Sequence, residues 1–126
     1  MEILKRDIEI GKGYLLKIDG ENAGYMCIDF DGEPAYDDIL GKWRTDGAYA
    51  VVHRMAFKRE DTGKGLADTA FGLIEKLCTE NGVFCIRVDT DPENKCMQHV
   101  LKRQGFESCG VIVFQGSEKL AFDKIL

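Results

Sequence analysis

Two apolar-rich runs, Gly13 to Ile18 and Ala23 to Phe30, flank the tetrapeptide DGEN. Asp and Gly tolerate the backbone angles of a tight turn, so this pattern predicts a β-hairpin. A looser stretch from Asp31 to Gly47, DGEPAYDDILGKWRTDG, follows, and a third strand is expected over Ala48 to Phe57. The period then changes. Leu66, Ala70, Leu73, Ile74, Leu77 and Cys78 fall on one face at helical spacing, and Asn81-Gly82 supplies a stop, which predicts a helix over Leu66 to Glu80. Val83 to Asp89 contains the nearly continuous apolar run VFCIRV, as in a central strand covered on both faces. DTDPEN leads into a second helix ending near Gln104, with Met97, Val100 and Leu101 on its apolar face and Gly105 after it. Glu107 to Phe114 and Lys119 to Phe122 close the chain as a hairpin around QGSE.

The order β-β-β-α-β-α-β-β places a strand–helix–strand crossover between antiparallel hairpins. It predicts one α+β domain over residues 1–126 with a mixed, mostly antiparallel sheet and helices packed on it. No repeat, low-complexity tract or linker divides the chain. With 44% hydrophobic and 31% charged residues, it has the balance of a globular domain with a core. A net charge of −5 argues against a nucleic-acid partner, and no apolar run approaches membrane-spanning length. The five cysteines, Cys27, Cys78, Cys85, Cys96 and Cys109, are odd in number and show no CxxC spacing. This argues against a disulfide framework and against a zinc site, and suits a cytoplasmic chain with reduced thiols.

The junction between the third strand and the first helix carries TGKG. Small residues there suggest a phosphate site, because the free N–H groups of a first helical turn and the helix dipole both favour an anion. It is not a P-loop: Gly65 follows Gly63-Lys64 in place of Ser or Thr, and no Gly stands five residues before Gly63. It is not a dinucleotide fingerprint either, since Asp68 occupies the third glycine position. DTDPEN lacks the Gly and terminal Glu of a calcium loop.

The segments VHRMAFKREDTGKGLADTAFGLIEKLC and IRVDTDPENKCMQHVLKRQGF resemble the GNAT superfamily of acyl-CoA N-acyltransferases, from about Gly13 to the C-terminus. The family motif [RQ]-x-x-G-x-[GA] aligns with Thr62, Gly63, Lys64, Gly65, Leu66 and Ala67; Gly65 and Ala67 match, and Thr62 replaces the leading Arg or Gln. The resemblance implies a GNAT-like fold and acetyl-CoA as cosubstrate, with no metal. The pyrophosphate would approach the backbone of Gly63 to Ala67, where side chains are small, and Lys64 would add a charge. The pantetheine arm would pair with the strand before the loop, at Met55, Ala56 and Phe57, and Asn94 matches a position that contacts this arm. A plain surface turn at Gly63 and Gly65, and a helix N-cap at Asn94, are the structural alternatives.

Amide formation needs a neutral amine, a stabilised oxyanion and a proton for the departing thiolate. Many family members place a general-acid Tyr four residues before the Gly of the GF pair; here that position is Leu101. For the base, His53 titrates in the useful range and is expected to share one strand face with Met55 and Phe57. Asp89 ends the central strand, where ligand crevices form. Packing in the sheet is the alternative role for His53, and helix entry for Asp89. His99 reads as a surface residue. Tyr36, Asp37, Asp38 and Trp43 either shape a pocket for a cationic acceptor or form a surface loop with one packed aromatic.

The resemblance further implies a chain lacking the family's first strand and helix, with EILKRDIEIGKG as the tail of the helical region. An uncovered edge at Gly13 to Ile18 would then favour a homodimer. The leading expectation is an N-acetyltransferase acting on a primary amine by direct attack. A silent CoA-binding module of the same fold, and another nucleotide-binding protein with the same strand–loop–helix, are the rivals.

Overall fold

The computed structural model describes residues 2–6, 12–57 and 65–126, the first stretch by its backbone alone. Eight strands form one sheet among these residues. They are β1 (Glu2–Arg6), β2 (Gly13–Ile18), β3 (Glu21–Asp29), β4 (Leu40–Gly41), β5 (Ala50–Phe57), β6 (Cys85–Thr90), β7 (Glu107–Phe114) and β8 (Ser117–Ile125). The helices are α1 (Leu66–Glu80) and α2 (Lys95–Arg103), with a 3-10 turn at Pro34–Asp38. The strand order is β1-β2-β3-β5-β6-β8-β7-β4. Only β5 and β6 pair in parallel, joined by the α1 crossover; the other pairs are antiparallel. The α+β class with a mixed sheet and central crossover is as the sequence order predicts.

Two faces of the sheet carry two cores. On one, Leu66, Ala70, Phe71 and Ile74 of α1 and Leu101 of α2 pack with Leu16, Met26, Ile86, Val88 and Phe122. On the other, Tyr36 and Trp43 from the long 31–49 segment cover Val51, Ile112 and Ala121. Residues therefore alternate along β6: Ile86 and Val88 face the helices, while the Arg87 guanidinium lies 4.5 Å from the Trp43 ring centre and 3.9 Å from that of Tyr49. Packing between β5 and β8 with both faces covered is what the apolar run of β6 requires.

α1 has the predicted ends. Gly65 takes a left-handed conformation at its start, and the Asn81 N–H bonds back to Leu77 and Cys78 at its finish. Its buried face also includes Phe71, which the predicted stripe omits.

The N-terminal expectation needs correction. Glu2–Arg6 is a strand paired with β2 over its whole length, not the tail of a helix, and it covers the edge at Gly13–Ile18. The argument for a homodimer through that edge therefore loses its basis. Local pattern could not show this, because a five-residue strand is specified by the edge it joins. The same holds for β4, whose two residues pair with Gly110 and Val111. There Gly41 and Gly110 cross at such close range that a Cβ on Gly41 would stand 2.1 Å from the Cys109 oxygen, and one on Gly110 2.1 Å from the Leu40 oxygen. The segment between the second and third expected strands is thus pinned to the far edge of the sheet. β8 runs longer than predicted because β6 and β7 pair on either side of it, out to Cys85↔Ile125.

Candidate active site

The parallel pair holds for three rungs only: Ala50↔Ile86, Val51↔Arg87 and Val52↔Val88. Beyond Val52 and Val88 the strands part, although β5 continues to Phe57 and β6 to Thr90. A bulge marks the parting. Tyr25 faces Ala56 and Cys27 faces His53, so two steps along β3 match three along β5, and Arg54 takes φ 52° within the extra residue. The extra residue also inverts the alternation. Met55 and Phe57 pack toward the helix-side core, whereas His53 stacks on Phe114, 6.1 Å between ring centres, and Phe114 packs with the opposite core. The expectation that His53 shares a face with Met55 and Phe57 is thereby corrected: strict alternation fails across a bulge.

His53 and Asp89 are the first residues past the last rung, one on each strand, and both line a cavity of about 620 Å³ that opens at the parting. Met55 and Asn94 line it too, and Leu101 and Met97 of α2 give it an apolar wall. Leu101 is buried and carries no proton to donate. Asn94 does cap α2, accepting the Met97 N–H at 3.0 Å, so the N-cap role is realised at the cavity wall. Ala56, Phe57, Gly65, Leu66 and Ala67 do not line this cavity; Leu66 is a core residue, and Gly65 stands at the start of α1. Thr62, Gly63 and Lys64 lie outside the described residues. His99 is exposed, as expected.

Sequence reasoning missed several lining groups. Asp29 accepts from the Lys12 ammonium at 3.0 Å and from the Asp31 N–H at 2.8 Å. Burial opposes its ionisation, but the Asp31 N–H, Lys12 and nearby His53 outweigh burial and hold its carboxyl below the usual range. Asp91 is likewise lowered, by the Glu93 N–H and by Lys119 at 3.3 Å. Glu33 and Asp89 have no cationic partner among the described residues. Asp89 Oδ1 instead accepts the Tyr36 hydroxyl proton at 2.7 Å. The side-chain contacts of Asp29 with Lys12, Asp91 with Lys119 and Asp89 with Tyr36 join residues far apart in the chain, and no spacing rule announces them. Of the four loop residues proposed for an acceptor pocket, Tyr36 and Trp43 are packed in the second core, and Asp37 lines a separate cavity of about 340 Å³ on that side. The loop residue that reaches the main cavity is Glu33.

A mixed sheet opened at its parallel pair, with a glycine-initiated helix crossing from one parted strand to the other, defines an α+β fold with a cleft between two strands. The chain belongs to the GNAT family of acetyltransferases: the Acetyltransferase (GNAT) family matches residues 2–106. A GNAT-family acetyltransferase from Streptococcus agalactiae is 33% identical, with a TM-score of 0.81 over 94% of this chain and 68% of that one. One from Listeria monocytogenes is 26% identical, with a TM-score of 0.73 over 94% of this chain and 67% of that one. The aminoglycoside acetyltransferase AAC(6')-Ib, solved with coenzyme A, shares the fold at 20% identity and a TM-score of 0.71. That alignment covers 90% of this chain, which spans only 65% of the length of the aminoglycoside enzyme. None of the curated proteins matches the sequence.

Proposed function

We propose that the protein is an acetyl-CoA-dependent N-acetyltransferase that moves an acetyl group to a primary amine by direct attack. The observation that carries this reading is the parting of β5 from β6 with His53 and Asp89 at its mouth. Past Val52, the β6-facing edge of β5 has lost its partner strand. An extended chain bearing amides, such as the pantetheine arm, can take that place along Met55 to Phe57. The pyrophosphate then falls toward the N-terminus of α1, at Gly65, Leu66 and Ala67 and the preceding Thr62, Gly63 and Lys64.

Glu33 and Asp89, the two lining carboxylates without a cationic partner among the described residues, favour an acceptor that arrives as an ammonium ion. His53, directly or through water, takes a proton from it to free the nitrogen lone pair. The amine attacks the thioester carbon, and a backbone N–H of the Met55–Phe57 edge stabilises the oxyanion. The nitrogen gives up its second proton to water as the adduct collapses to the amide and expels the thiolate, which takes a proton from solvent, since Leu101 stands where an acid would be. AAC(6')-Ib, which shares the fold, has been solved in complex with ribostamycin and coenzyme A.

The test is release of free thiol from acetyl-CoA across a panel of amines. With the best acceptor, His53→Gln and Asp89→Asn are each expected to lower turnover about 100-fold. Acetyl-CoA binding without thiol release from any amine would refute catalysis. It would favour the second reading, a silent coenzyme-binding module, which the buried Leu101 supports.

A further inference from the structure

We propose that Tyr36 is a positioning residue for Asp89: through the bond between its hydroxyl and Oδ1, it fixes the carboxylate that receives the acceptor amine. This inference rests on the acetyltransferase reading above. Tyr36 sits on the 3-10 turn, Pro34–Asp38, on the face of the sheet away from the helices. Its ring lies 5.0 Å from that of Trp43 and 6.3 Å from that of Tyr49, and only 1% of the residue is exposed. The Trp43 indole N–H donates to the Tyr36 carbonyl oxygen at 2.9 Å. Ring and backbone are therefore both fixed, and the hydroxyl has one place to point.

That place is Asp89 Oδ1, at 2.7 Å, a short distance for a hydroxyl donating to a carboxylate. Burial, and then the charge of Asp89 itself, push the phenol well above its ordinary range, so it remains a donor at any working pH. With Oδ1 engaged, Oδ2 has no hydrogen-bond partner among the described residues. An Asp side chain at the end of a parted strand would otherwise sample several rotamers. Tyr36 selects one before the amine arrives, which is the preorganisation a bound ammonium needs. The same turn begins next to Glu33, the other cavity carboxylate without a cationic partner among the described residues, so one short segment sets both acidic contacts.

Tyr36→Phe keeps the ring and removes only the donor, so the second core survives. The experiment compares the parent, Tyr36→Phe, Asp89→Asn and the double variant with the best amine at saturating acetyl-CoA, with thermal unfolding in parallel. Tyr36→Phe is expected to lower kcat/KM for the amine about tenfold while leaving KM for acetyl-CoA unchanged. In the Asp89→Asn background the same change is expected to do less than twofold, because the group it positions is already gone. An equal loss in both backgrounds, or none in the parent, overturns the inference and leaves the acetyltransferase reading standing. A parent that acetylates no amine overturns both.

Discussion

Arg44 and Asp123 form an ion pair whose two ends differ in burial, and the two ends are predicted to tolerate loss unequally. Asp123 is fully buried on β8, while the Arg44 side chain is 32% exposed. Asp123 Oδ1 accepts the Arg44 Nε proton at 2.5 Å, Oδ2 accepts the Arg44 backbone N–H at 3.0 Å, and a second guanidinium nitrogen reaches the Asp123 carbonyl at 3.0 Å. Arg44→Met strands a carboxylate that cannot reach water. Losing one partner of a buried pair costs about 3–5 kcal/mol, and the surviving Arg44 backbone N–H places this case near 3. Asp123→Asn instead frees a guanidinium that still reaches solvent and Glu107, at 3.2 Å, so its cost is about 1–2 kcal/mol. At this chain length a gap of about 1–2 kcal/mol is roughly 4–8 °C in Tm. Urea and thermal unfolding of both variants at pH 7 measure it. Equal losses, or a larger loss for Asp123→Asn, would refute the burial argument.

Gly65→Glu is expected to weaken acetyl-CoA binding at least 100-fold by setting a carboxylate against the pyrophosphate. Gly65→Asn, uncharged and tolerant of the φ of 71°, should retain binding; calorimetry that finds both variants alike removes the phosphate assignment. Burial, with the charge of Glu75, pushes the Cys78 thiol up to about 12 from 9.0. A raised folded value means that the associated stability is complete below about pH 9 and is lost as pH rises from there toward 12, by at most about 1.4 kcal/mol per pH unit. Urea midpoints between pH 8 and 10.5 should therefore fall more steeply for the parent than for Cys78→Ala, and parallel profiles would show that the thiol does not contribute.

The elements that declared themselves in the sequence are those whose periodicity is local. α1 was legible at both ends because its stripe and its glycines are self-contained, and β6 because the run VFCIRV is nearly continuous in apolar residues. β1 and β4 were not, since each is held by a neighbour distant in sequence. The cleft divides the same way. His53 and Asp89 were legible as a titratable group in a strand and a carboxylate at a strand end, and the structure brings both to the parting. The bulge at Arg54 was not, because one extra residue leaves no mark on composition. Nor was the Tyr36–Asp89 bond, which spans 53 positions of the chain.

The crossing of Gly41 and Gly110 bears on how this protein tolerates change. Neither residue lines the cavity at the parting, and neither has a side chain with which to do chemistry. Yet a single methyl at either would meet a carbonyl oxygen and lift β4 from the sheet edge. Tyr36 is only five positions from Gly41, and Arg44 only three, so whatever shifts β4 shifts the segment that holds Asp89 in place. A survey of which positions accept substitution would then rank two silent glycines beside His53 and Asp89. Absence from the cavity wall would be a poor guide to what the cavity depends on.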